Sequence, residues 1–181
     1  MHWNNAAPAM AISGKGLNDT APCSLSILYT NRNALLIHTG IPEASVLSRQ
    51  YDYNYCNSYL TSFKDAANQV QPEDLAVAFM KSIPAYARIL LYGTTSMNVF
   101  TINTHTDQEA VLTLHRKHFC LNISLLLNKP RKSSTQKNVV LSTTITLHTV
   151  AGQLCFMLLK PLFEKLIPVV LKQTIAKTID K

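Results

Sequence analysis

What most constrains this chain is its C-terminal third, where a strand-like run, Val139 to His148, passes through Ala151-Gly152 into one long helical pattern, Gln153 to Thr178. Apolar residues recur there at helical spacing over about seven turns. A helix of that length has to be laid against an apolar surface, and the strand feeding it implies a sheet. Pro161 and Pro168 fall inside the pattern. Because the apolar period continues past both, they predict a helix that bends without ending. The stretch from Val150 to Leu171 is apolar enough to raise a membrane-spanning reading, but Gln153, Lys160, Glu164 and Lys165 interrupt it within the roughly 20 residues a span requires. Gln153, Lys160 and Glu164 share a narrow arc of one face. The expectation is an amphipathic helix covering a sheet.

Upstream, residues 1–44 hold Gly14, Gly16, Gly40, Pro8, Pro22 and Pro42 among many Asn, Ser and Thr, with no sustained period. They read as a loosely ordered leader, and the ordered domain is placed at 45–181. Nothing in the first 49 residues has the basic start and unbroken apolar core of a secretory signal, so a cytoplasmic protein is expected. From Tyr51 to Phe63 aromatic residues alternate with Asp52, Asn54, Ser58 and Ser62, which predicts a half-buried strand with an aromatic inner face. Pro72-Glu73-Asp74 is a helix start, with proline in the first turn and acids against the helix dipole. Leu75, Phe79 and Met80 supply its apolar face. Pro84 opens a second helix whose expected inner positions are Tyr86, Ile89, Leu90, Met97 and Phe100. Two further strands, Glu109 to Leu114 and His118 to Leu127, precede a basic loop over 128–137 that joins the latter to Val139–His148.

The order strand, two short helices, several strands, long helix is that of an α+β helix-grip fold: a curved antiparallel sheet wrapped around a C-terminal helix, with a ligand cavity in the gap between them. Composition agrees. Of 181 residues, 47% are hydrophobic and only 15% charged, which suits a protein that handles apolar molecules better than an average enzyme. The net charge of +7 is lopsided: residues 1–109 carry six Lys and Arg against eight Asp and Glu, whereas residues 110–181 carry eleven against two. A basic C-terminal half is attracted to anionic ligands or lipid headgroups, or is simply a solvated face.

The pieces Leu141-Ser142-Thr143-Thr144, His148, Gly152, Phe156 and Lys160-Pro161-Leu162-Phe163 with Leu166-Ile167, together with Lys117-His118-Phe119 and the segment Tyr55 to Tyr59, resemble a bacterial domain family of unknown function in the START-like, polyketide-cyclase-like (SRPBCC) superfamily. The resemblance covers about Tyr51 to Lys177. It implies the helix-grip fold and a hydrophobic cavity, and no established reaction. The family pattern is frequently acidic where this chain has Asn57, His115, Arg116 and Cys120, so any chemistry those carboxylates perform elsewhere is not available here.

The cavity wall expected on this basis is Tyr53, Tyr55 and Tyr59 from the first strand, Leu121, Ile123 and Leu125 from the central strand, and Phe156, Leu159 and Phe163 from the helix. The expected partner is an apolar or amphipathic small molecule, with a weak anionic membrane-surface contact besides. The alternatives are a cyclase- or hydrolase-like enzyme using the same cavity, or a peripheral membrane-surface adaptor. No G-x-S-x-G elbow, P-loop or H-E-x-x-H motif is present, so no catalytic residue is assigned and no cofactor is expected. His105, His115, His118 and Cys120 invite a metal reading if a turn at Arg116-Lys117 sets His115 opposite His118, but no carboxylate lies nearby to orient the imidazoles, and no metal site is expected. The four cysteines form no C-x-x-C pair, and Cys56, Cys120 and Cys155 are expected as buried thiols in a reducing compartment. The basic residues of the 128–137 loop, Lys129, Arg131, Lys132 and Lys137, lack interleaved aromatics, so no nucleic-acid partner is expected.

Overall fold

A computed structural model of the chain describes residues 27–28, 36–50, 52–65, 69–93, 100–128 and 135–179. Among these residues seven strands are ordered β1-β2-β3-β7-β6-β5-β4 in one open sheet, where β1 is Ile27–Leu28, β2 Leu36–Thr39, β3 Tyr55–Lys64, β4 Thr101–Thr106, β5 Glu109–His115, β6 Phe119–Asn128 and β7 Gln136–Leu147. Every neighbouring pair is antiparallel. Among the described residues three α-helices accompany the sheet: α1 Pro72–Ser82, α2 Ala85–Tyr92 and α3 Val150–Ile179. Both α1 and α3 pack on the same face of the sheet, and they pack on each other. This is a mixed α+β fold in which an open antiparallel sheet lies against a long C-terminal helix.

The long strands sit at the centre because their sequences are the most apolar. In β6, Leu121, Ile123, Leu125 and Leu127 face the helices, and the register aligns Leu121 with Ile145, Ile123 with Thr143 and Leu125 with Leu141 of β7. On the other side β7 aligns with β3, so that Tyr55 meets Ile145, Asn57 meets Thr143 and Tyr59 meets Leu141. The phase expected for the aromatic strand holds: Tyr55, Tyr59 and Phe63 all belong to the helix-facing side and pack in or against the core. Tyr53 precedes the strand, and Tyr51 lies outside the described residues.

Several expectations are corrected. The sheet reaches upstream of residue 45: β2 pairs with β3, with Ile37 opposite Leu60, and Leu36 is fully buried. The two short helices therefore follow the third strand, not the first. Within the presumed leader Ile27–Leu28 pair with β2 as well, while residues 1–26 and 29–35 lie outside the described residues. Among the described side chains of α2, Ala87 is buried, while Tyr86 and Ile89 are more than half exposed. The helix is short because Ile83, held extended before Pro84, bounds it on one side and Gly93, at φ 68°, ends it in the left-handed region on the other. Phe100 is buried but lies after the helix, Met97 lies outside the described residues, and so does the side chain of Leu90. The Thr101–Thr106 strand was not foreseen. Ala151 and Gly152 belong to the first turn of α3 and do not connect strand to helix.

That first turn is held tightly. Thr149 caps the helix, its Oγ accepting from the Gly152 N–H at 3.0 Å. A Cβ on Gly152 would lie 2.5 Å from the backbone oxygen of His118, so only glycine lets α3 approach the β5–β6 turn this closely. Both prolines of α3 lie inside an unbroken helix. Pro168 has no N–H to offer the carbonyl of Glu164, and the Tyr59 hydroxyl donates to that carbonyl instead, at 3.4 Å.

The opposite face of the sheet is polar and mostly satisfied by its own neighbours. Ser58 and Ser142 hydrogen bond across β3 and β7 at 2.8 Å. Glu109, fully buried, accepts from Ser45 Oγ at 2.6 Å, from the Val46 N–H at 2.9 Å and from Ser124 Oγ. These bonds fasten the 3-10 turn Val46–Arg49 across the back of the sheet.

Candidate functional site

Between the β6–β7 end of the sheet and the first four turns of α3 lies a cavity of about 300 Å³. Phe119 and Leu121 of β6 and Ile145 and Leu147 of β7 form its floor; Phe156, Leu159 and Phe163 of α3 form its roof. Its depth follows from the chain itself. Gly152 brings the helix against the β5–β6 turn at one end, while the large core residues Leu166, Ile167 and Val170 close the gap further along. His118, Ala151 and Cys155 are the exposed members of the lining and mark the mouth.

Of the nine wall residues expected from sequence, Leu121, Phe156, Leu159 and Phe163 line this cavity. Tyr55 stands beside it, its ring 5.1 Å from that of Phe156 in an edge-on arrangement, and Phe156 in turn meets Phe163 at 6.3 Å. Tyr59 is buried further in. Ile123 and Leu125 are packed into the solid core, and Tyr53 lies outside β3. Sequence reasoning missed Phe119, Ile145, Leu147 and the mouth. The available signal was parity: Phe119 shares a face with Leu121, as do Leu147 and Ile145 with each other, and the register puts Phe119 opposite Leu147.

One row inward from Ile145, the sheet carries polar groups under the helix. Asn57 Nδ2 donates to the hydroxyls of Tyr55 and Tyr59 at 3.1 and 2.9 Å. Its Oδ1, and the Oγ1 of Thr143 on the facing strand, are buried with no hydrogen-bond partner among the described residues. Burial pushes the Tyr55 phenol up to about 12 against the partly offsetting Asn57 hydrogen bond, and the nearby Glu164 carboxylate adds to the rise. Tyr59 is raised for the same leading reason. Both rings are thus neutral donors and acceptors across the physiological range. The Lys160 ammonium lies 5.8 Å above the Tyr55 ring.

Among the described residues no carboxylate lines the cavity, and its titratable groups are His118 and Cys155, both at the mouth. His118 Nδ1 is 3.0 Å from Thr149 Oγ1. The turn at Arg116-Lys117 forms, with the Arg116 N–H donating to Phe119 O at 2.9 Å, but it sets His115 opposite Cys120, not His118. His115 lines an open polar cleft of about 650 Å³ on the other face of the sheet, with Arg49, Asp52, Thr113 and His148. The side chain of His105 lies outside the described residues, and among those described no three His, Cys, Asp or Glu are grouped to hold a metal ion. The thiols are also redistributed: Cys120 is buried, Cys56 half-buried and Cys155 exposed, while Cys23 lies outside the described residues. Lys137, expected on a solvated loop, is buried 2.6 Å from Asp65. No helix among the described residues is both long and apolar enough to cross a membrane.

No protein-family model and no curated protein matches this chain.

Proposed function

We propose that this chain is a START-like helix-grip domain that binds one apolar or amphipathic small molecule in the cavity between β6, β7 and α3. The observation that carries this reading is the cavity's lining, in which aliphatic and phenyl groups surround about 300 Å³, the lower end of the range for small-molecule sites. The polar row beneath α3, with Asn57 Oδ1 and Thr143 Oγ1, lies one row inward of the lining, so the cavity walls hold the apolar part of the ligand and a polar end is left for the mouth, where His118 stands. An exposed, unpaired Cys155 at the mouth fits a reducing compartment, and the cytoplasm is the location we propose.

Native mass spectrometry of the purified protein, followed by titration with medium-chain fatty alcohols and fatty acids, tests the reading. Saturable binding of one ligand per chain is expected, with a rise in thermal midpoint as ligand exceeds its dissociation constant. Ala151→Trp, placed at the exposed mouth and away from the core, is expected to lower affinity by about tenfold or more without unfolding the domain. Absence of both a co-purified molecule and saturable binding would overturn the proposal.

A further inference from the structure

The first three turns of α3 are apolar on two sides. One side roofs the cavity; the other carries Val150, Leu154, Met157 and Leu158, each between 61% and 82% exposed, followed by the exposed Pro161. Their spacing, i, i+4, i+7, i+8, i+11, places them in a single outward stripe, and the next position on that stripe is the exposed Lys165. The polar arc of Gln153, Lys160 and Glu164 runs alongside the stripe without covering it. The helix is therefore not the simple amphipathic element its sequence predicts.

The charges around the stripe are mostly cationic. Arg116 and Lys117 lie exposed on the β5–β6 turn, which touches the first turn of α3 through His118 and Gly152. Lys160 and Lys165 lie at the other end, and across residues 110–179 the one acidic residue is Glu164, 3.9 Å from Lys160. Exposed aliphatic side chains rimmed by cations match an anionic lipid surface, where the aliphatic groups enter the headgroup boundary and the cations meet phosphate. A second copy offers Arg116, Lys117 and Lys165 no acidic patch on this face, where Glu164 is the one acid within residues 110–179.

We infer that the outward stripe of α3 docks this protein on anionic membranes, with Val150, Leu154, Met157 and Leu158 inserted and Arg116, Lys117 and Lys165 on the headgroups. Ala151 and Cys155, at the mouth of the cavity, lie one row over from the stripe, each three residues before an inserted leucine, so the docked protein brings the edge of its mouth to the lipid. Docking stands on the stripe and the charges alone. Only the further step, that the ligand passes between bilayer and cavity, rests on the function proposed above.

The test is co-sedimentation of the full chain with vesicles of phosphatidylcholine containing about 30% phosphatidylglycerol, against pure phosphatidylcholine. Binding to the anionic vesicles is expected, at least about tenfold weaker to the neutral ones, and weakened on raising salt to about 0.5 M. Met157→Asp/Leu158→Asp is expected to abolish it, and Lys117→Glu/Lys165→Glu to reduce it by about tenfold, with circular dichroism and fatty-alcohol binding unchanged because all four positions are exposed. Binding that survives Met157→Asp/Leu158→Asp would overturn the proposal. So would absence of vesicle binding, including the case in which light scattering finds a dimer that these substitutions dissociate. Neither result touches the cavity, which the fatty-alcohol titration reads separately.

Discussion

Asp65 and Lys137 lie 2.6 Å apart with almost no solvent contact, and they join the end of β3 to the start of β7 at a place no pattern in the sequence marked. Burial alone would raise the Asp65 carboxyl, but the hydrogen bond from Lys137, the N–H groups of Val70 and Gln69 and the lysine charge together outweigh it and hold the group below its ordinary value. A carboxyl lowered on folding contributes stability that is fully present above the unfolded value of about 3.9 and is lost as pH falls through the folded one. Acid titration of the unfolding free energy is therefore expected to show a loss below about pH 4 that Asp65→Asn removes. At neutral pH, Lys137→Met leaves a buried carboxylate unpaired and is expected to cost about 3 to 5 kcal/mol in a urea titration. At the alkaline end the sign reverses. Tyr55, raised to about 12, contributes stability present below the unfolded value near 10 and lost as pH rises through 12. Its phenolate absorbance is expected to appear only near that pH, and Tyr55→Phe should delete that late titration step. Lys137 was misread because one-dimensional charge patterning cannot see an acid more than seventy residues upstream; the pair exists only through the β3–β7 register, in which Phe63 stands opposite Lys137.

At the scale of the element, α3 was the most legible part of the chain, and the reason is physical. Thirty residues without a break in apolar periodicity leave no competing structure, and the two prolines cost backbone hydrogen bonds that a packed helix tolerates, one of the freed carbonyls being taken up by Tyr59. Which of its sides would be covered was not legible, because apolar residues occupy both. The difference has a measurable consequence. Phe163 is buried and joins roof to core, so Phe163→Ala is expected to cost about 3 to 5 kcal/mol. Leu158→Ala, on the outward stripe, is expected to stay within about 0.5 kcal/mol. A urea titration giving the two equal costs would mean that the outward stripe is packed against something. Gly152→Ala belongs with the first group: helix propensity favours alanine by about 1 kcal/mol, yet a methyl 2.5 Å from the His118 carbonyl forces the helix away from the turn, and a net loss of stability is expected.

Across the whole molecule, three strands escaped notice, the two-residue β1 and, for a shared reason, β2 and β4. Thr101–Thr106 holds three Thr, one Asn and one His around a single Ile, and Leu36–Thr39 is a four-residue run without period-two alternation, so neither carries the pattern that marks a strand. Both lie toward the edges of the sheet, where pairing with a longer neighbour supplies what periodicity lacks. The cavity wall was half legible for a related cause: strand parity gives the face a residue points to, but which rows stay open under the helix depends on the close approach at Gly152, a contact between residues 118 and 152. The consequence at the chain's beginning can be tested directly. Periodicity makes residues 1–40 dispensable, whereas the structure puts Leu36 in the core and β2 along the edge of β3, with Ile37, His38 and Thr39 in register with Leu60, Tyr59 and Ser58. Losing one fully buried leucine costs about 2 to 5 kcal/mol, and each kcal/mol lowers the midpoint of a domain this size by about 2 to 4 °C. A chain beginning at residue 41 is thus expected to melt at least about 4 °C lower. It should also self-associate, since β3 becomes a ten-residue edge with unpaired N–H and C=O groups. Unchanged melting in a scanning calorimeter, with a monomer in light scattering, would show that β2 adds nothing and that the sheet is complete from β3 onward.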